Sequence, residues 1–106
     1  MSKRIDYKKL AQNIPASVKV GKRTYEVLYS DTIKQDDNVM GETRFDPPQI
    51  VLQTGQSNRE LVLTAIHEMY HAISEEYEAG LTEGQVRALE RAFPAMYHFF
   101  KQLNGE

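Results

Sequence analysis

From Ser57 onward the apolar residues stop alternating and recur every three or four positions, and this change of period constrains the chain more than any other feature. Leu61, Val62, Ala65, Ile66, Met69, Ala72 and Ile73 share one face of a helical wheel, with Glu60, Thr64, His67, Glu68, His71 and Glu75 on the opposite side. Such a pattern specifies an amphipathic helix that must bury one face. Ser57 and Glu60 form an S-x-x-E start signal, so the helix is predicted from about Asn58 to Tyr77, with Gly80 as its stop. Thr82 and Gln85 repeat the start signal. A second helix is predicted from about Glu83 to Leu103, with an apolar stripe of Val86, Leu89, Phe93, Met96, Tyr97 and Phe100. Pro94 falls inside that stripe and is predicted to kink it. Two capped helices joined by a short turn should pack antiparallel.

Before Ser57 the period is two. Residues 3–14 suit a short helix ended by Pro15. Val18 and Val20, then Tyr25, Val27 and Tyr29, alternate with polar residues, and Gly21-Lys22 between them suits a hairpin turn with glycine first. Asp31 to Asn38 is polar and reads as a loop. Val39 to Phe45 reads as a strand ended by Asp46-Pro47-Pro48, and Gln49 to Gln53, with Ile50, Val51 and Leu52 together, as a short buried strand. The expected fold class is therefore α+β: an N-terminal antiparallel sheet of hairpins followed by two packed helices. At 106 residues the chain is expected to form a single domain, 1–106, with residues 1–15 as a loosely attached basic segment.

Within the first long helix, His67-Glu68-Met69-Tyr70-His71 reads H-E-x-x-H. Residues four apart stand one turn apart on one face, so both imidazoles can reach a single metal ion. Glu68, beside the first histidine, can touch a water on that metal. Two neutral imidazoles and a carboxylate are what zinc-activated hydrolysis needs, with Glu68 as general base. A catalytic zinc takes a third protein ligand and keeps one position open. Candidates after His71 are Glu75, Glu76, Glu78, Glu83, Glu90 and His98. The first three share the histidines' own rigid helix and are poorly placed to close a tetrahedron. Pro94 disturbs the helix ahead of His98. Glu83 and Glu90 lie on one flank of the second helix, and either can face back. Cysteine is absent, which excludes thiolate ligands, disulfides and a cysteine nucleophile.

Two resemblances bear on the third ligand. Eighteen residues separate the motif from Glu90, a spacing that resembles the gluzincin peptidases. The stretch from His67 to Leu89, with H-E-M-Y-H-A-I followed by Gly80-Leu81-Thr82-Glu83 and Val86, resembles small phage- and prophage-encoded metallopeptidase-like proteins of the ImmA/IrrE and SprT-like zincin type. In that group the acidic residue opening the downstream helix matches Glu83; Arg87 departs from the acidic or neutral residue expected there. The resemblance implies a small zincin-like domain that binds Zn2+ through His67, His71 and Glu83 and hydrolyses peptide bonds in a peptide or protein substrate. Tyr70, Tyr77 and Tyr97 are then candidate donors to the oxyanion, and Gln49–Gln53 a sheet edge that would align an extended peptide by strand addition. The alternative is a non-catalytic binding module of the same fold, a phage protein docking to a host partner.

Charge bears on partners and location. The net charge is -2; residues 1–25 carry seven basic side chains and one acidic, and the remainder six and fourteen. A solvated basic arm on an acidic body accounts for this, and no nucleic-acid partner is expected. No stretch has the length of a membrane span, and Met1 to Leu10 lack the apolar core of a signal peptide, so a cytoplasmic location is expected.

Overall fold

Asp6 opens the first helix, α1 (Tyr7–Gln12), by accepting the Lys9 N–H at 3.0 Å. The computed structural model describes residues 4–33 and 40–106. Within them α1 is shorter than the 3–14 pattern, and residues 1–3 lie outside. The segment before Pro15, read in the sequence as a loose basic arm, adds Ile14 to the packed core and sets Tyr7 against Phe93 with ring centroids 6.4 Å apart.

Strands β1 (Ser17–Val20) and β2 (Arg23–Ser30) form the expected antiparallel hairpin, with Val20 opposite Arg23. Gly21 takes φ 61° at the first turn position, a conformation that side chains resist. Of the polar stretch 31–38, only 31–33 are described, and Val39 is outside. Strand β3 (Gly41–Phe45) turns at Asp46-Pro47 into β4 (Pro48–Gln53), with Phe45 opposite Pro48.

The sheet is not the expected antiparallel one. Its strand order is β1-β2-β4-β3, and β2 runs parallel to β4, with Val27 opposite Ile50 and Leu28 opposite Val51. Nor is β4 an edge: it is paired on both sides. Ile50, Val51 and Leu52 give the reason. Three consecutive apolar residues leave no polar face for solvent, so the strand stabilises the fold only from the interior, where all three are at most 3 % exposed. The second hairpin therefore docks with β4 inward and β3 outward.

Helix α2 (Asn58–Glu76) crosses this sheet, capped by Ser57, whose hydroxyl accepts the Glu60 N–H at 3.2 Å. Its Ala72, with Leu61, Ala65, Met69 and Ile73, packs on Val20, Tyr25, Ile50 and Leu52. Tyr25 is fully buried and donates its hydroxyl to Glu76 Oε2 at 2.5 Å, tying the last turn of α2 to β2. The helix ends before Gly80. Glu78 adopts φ 52°, Ala79 N–H donates to Ser74 O and Glu78 N–H to Glu75 O, so the left-handed turn falls on a residue with a side chain.

The predicted second helix is two helices, α3 (Glu83–Arg91) and α4 (Phe93–Leu103), which meet at Ala92. A proline inside a continuous helix would remove the bond to Glu90 O and clash there. With the break at Ala92, Pro94 sits in the first turn of α4, where no N–H is needed. The architecture is thus α+β, with a four-stranded mixed sheet and four α-helices among the described residues. No helix among the described residues is long and apolar enough to cross a membrane.

Candidate metal centre

Helical spacing brings His67 and His71 together on α2, with rings edge to face and Nε2 atoms 3.3 Å apart. The capping box at Thr82 starts α3 so that Glu83 is its first residue, directed back at α2. Glu83 Oε1 lies 2.8 Å from His67 Nε2, and Oε2 lies 3.0 Å from His71 Nε2. His67, His71 and Glu83 form a group that could hold a metal ion, their ligand atoms within 4.8 Å of one another. Two nitrogens bound about 2.0–2.1 Å from one tetrahedral ion stand roughly 3.3 Å apart, which is the separation found here. Two imidazoles and one carboxylate are also the donor set of an open site.

Glu90, the rival for third place, is next to the same histidine but on its other nitrogen. His67 Nδ1 donates to Glu90 Oε1 at 2.8 Å. A carboxylate there fixes the ring and leaves Nε2 as the nitrogen available to a metal. The two glutamates therefore hold different posts around His67. Arg87, one turn after Glu83, has Nε 3.5 Å from Oε1 in an exposed pair of little energetic weight.

Glu68 sits on the sector of α2 that the sequence assigns to solvent, yet it is only 7 % exposed. Strand β3 covers it. Thr43 Oγ1 lies 2.7 Å from Glu68 Oε1 and 3.0 Å from the Glu68 carbonyl oxygen. A side chain at Gly41 would place its Cβ 2.6 Å from Thr64 Cγ2 and 3.0 Å from Glu68 Cγ, so only glycine lets the strand approach this closely. Desolvation pushes the Glu68 carboxyl above its ordinary range; the Thr43 hydrogen bond and the two imidazoles oppose that, and Glu83 adds to it. Sequence reasoning missed Gly41 and Thr43. The signal was faint: they alternate with Glu42 and Arg44, but nothing local says which face of the strand meets α2.

The remaining candidates lie elsewhere. Glu76 is engaged by Tyr25 and, at 3.5 Å, by Arg23. Glu75 and Glu78 line a cleft of about 380 Å³ beside His71, with Phe45, Ser74 and Gly80. The His98 ring lies against Tyr97 on α4, outside the cluster. Tyr77 is exposed next to Gly21, Tyr97 packs on Phe93, and Tyr70 is half-buried on α2, so geometry does not choose an oxyanion donor among them. Compared with known protein families, curated proteins and solved structures, the chain matches none.

Proposed function

We propose that the protein is a zinc-dependent metallopeptidase of the H-E-x-x-H type, acting on peptide or protein substrates. The observation that carries this reading is the convergence of His67, His71 and Glu83 next to a buried carboxylate, Glu68, one residue along the helix from a ligand. Structural zinc sites fill four positions with protein, whereas the donor group among the described residues has three members, the number that leaves one position for a reactant. Zinc when bound supplies a Lewis acid that acidifies water and polarises a carbonyl. His67, His71 and Glu83 would hold it, and Glu90 would orient His67. Glu68 accepts the proton of the attacking water and returns it to the leaving nitrogen. The water oxygen bonds to the carbonyl carbon as the C–N bond breaks.

An extended substrate fits β3 rather than β4. One of the sheet's two end strands, β3 runs beside Glu68, and its Phe45 borders the cleft at His71. Main-chain pairing along that edge would lead a peptide past the metal ligands.

A second reading, a binding module without turnover, is favoured by α4. Met96, Phe99, Phe100 and Leu103 recur at helical spacing and are 42–64 % exposed, the kind of apolar stripe that marks a partner surface. The deciding experiment measures zinc content and hydrolysis of unfolded protein by the wild type, by the His67→Ala/His71→Ala pair and by Glu68→Gln. We expect near one-to-one zinc, lost in the histidine pair and kept in Glu68→Gln. Hydrolysis should drop by about a hundredfold or more in Glu68→Gln. Zinc retained without the histidines would remove the site, and zinc-loaded wild type without turnover would favour the binding module.

A further inference from the structure

Strand β3 does more than end the sheet. Gly41, Thr43 and Phe45 alternate along it and so share one side, the side turned to α2. Gly41 meets Thr64 and Glu68, Thr43 meets Glu68, and Phe45 meets the cleft at His71, so the strand follows α2 from the base toward the ligands. At its centre is the contact between Thr43 Oγ1 and Glu68 Oε1, 2.7 Å long. No hydrogen bond reaches Glu68 Oε2 from the described residues. Every fully buried side-chain nitrogen or oxygen among them has a partner, so Oε2 keeps contact with solvent although the residue is almost covered. One carboxylate oxygen is thus fastened and the other is presented.

We propose that Thr43 is a positioning residue that fastens Glu68 Oε1 and leaves Oε2 as the oxygen that exchanges protons with water. The proposal rests on the reading of Glu68 as general base. A threonine hydroxyl has one proton to give, and an ionised carboxylate oxygen is a stronger acceptor than the Glu68 carbonyl at 3.0 Å. Donation to Oε1 stops rotation about the terminal bond of Glu68 and fixes the direction in which Oε2 points. In each turnover Oε2 takes one proton from water and gives one to the leaving nitrogen, and Oε1 takes none. Gly41 serves the same arrangement by absence: a Cβ there would lie 3.1 Å from Oε2, in the space the working oxygen uses. Orientation held this way acts on the chemical step and not on substrate binding.

The test compares Thr43→Val, which keeps the shape and removes the donor, with Thr43→Ser, which keeps the donor. The first readout is the 13C carboxylate resonance of Glu68 in zinc-loaded protein labelled at glutamate Cδ, identified by its absence in Glu68→Gln. We expect Thr43→Val to move this resonance and Thr43→Ser to leave it near the wild-type position, with zinc affinity unchanged in both. The second readout is hydrolysis: kcat should fall roughly tenfold or more in Thr43→Val, the scale for lost partners of site residues, with KM unchanged. Thr43→Ser should restore it, and Thr43→Val should cause no further loss in the Glu68→Gln background. A resonance that stays in place overturns the proposal whatever the activity. A resonance that moves while kcat stays at wild type also overturns it, because the bond is then only structural. A wild type without turnover sinks the peptidase reading alone, since the resonance still decides whether Thr43 holds the carboxylate.

Discussion

Gly41→Ala adds one carbon at the point where β3 and α2 touch. That carbon would lie 2.6 Å from Thr64 Cγ2, where ordinary contact begins at 3.4 Å, a shortfall of about 0.8 Å. Thr64 is poorly free to yield. Its hydroxyl donates to Gln56 Oε1 at 2.8 Å, and Gln56 Nε2 donates in turn to Gln53 O at 2.8 Å and to Met40 O at 3.2 Å, next to Gly41 itself. Overpacking of this kind costs about 2–3 kcal/mol, offset by about 0.5–1 kcal/mol because alanine restricts the unfolded chain. The net loss should be about 2 kcal/mol, or roughly 10 °C in Tm for a domain of this size. Urea and thermal unfolding of the metal-free protein, followed by circular dichroism, measure it. Thr64→Ser removes Cγ2, so the double variant should be less destabilised than the two single losses combined, by about 1 kcal/mol. The serine should not restore hydrolysis, because the new Cβ still lies 3.0 Å from Glu68 Cγ. Strict additivity of the two stability losses would refute the contact as the cause.

Other expectations concern the ligands, pH and the end of α2. Glu83→Gln should weaken zinc binding by about tenfold or more in competition with a chromophoric chelator, and Glu90→Gln by less, since Glu90 acts through the His67 ring; the reverse order would make Glu90 the ligand. Glu68 is raised above its ordinary 4.5 chiefly by burial, so between that value and the raised one the folded metal-free protein binds more protons than the unfolded chain. Its stability should therefore fall as pH rises through that window, and a wild-type minus Glu68→Gln difference that is flat with pH contradicts this. Glu78→Gly relieves a left-handed residue at φ 52° and should raise stability by about 0.5–1 kcal/mol in urea unfolding, whereas a loss there would mean that the Glu78 side chain stabilises the turn.

What could be read from sequence was whatever depends on near neighbours. The serine and threonine caps, the Gly21 turn, the apolar face of α2 and the placing of both histidines on one flank follow from spacings of two to four residues. What could not be read depends on which surfaces meet. The run Ile50-Val51-Leu52 shows a strand buried on both faces, but only the docked hairpin shows that its partner is β2 and that the pairing is parallel. Pro94 signals a disturbance, and a kink and a break look alike until α3 has found its place against α2. Glu68 faces the polar sector in any helical wheel; that the sector is covered depends on β3, whose Gly41 is more than twenty residues away in sequence.

The cost of that covering bears on what the fold is for. Glu68, Glu83 and Glu90 surround two imidazoles, and the charge of Glu83 adds to the burden that desolvation puts on Glu68. Thr43 and the two imidazoles offset only part of it. For stability alone, an apolar residue packed on Gly41 and Thr43 would do better than a nearly buried carboxylate. A divalent cation held by His67, His71 and Glu83 would offset this cost: its charge would balance Glu83 and favour the ionised form of Glu68. Binding to the folded state alone stabilises by about 2.7 kcal/mol at a hundred times Kd. Zinc should therefore raise Tm in the wild type and in Thr43→Val, whose ligands are intact, and raise it less at the same concentration in Glu83→Gln. A Tm increase of equal size in Glu83→Gln would place the ion somewhere other than between α2 and α3, and the burial of Glu68 would then lack a metal-linked reason.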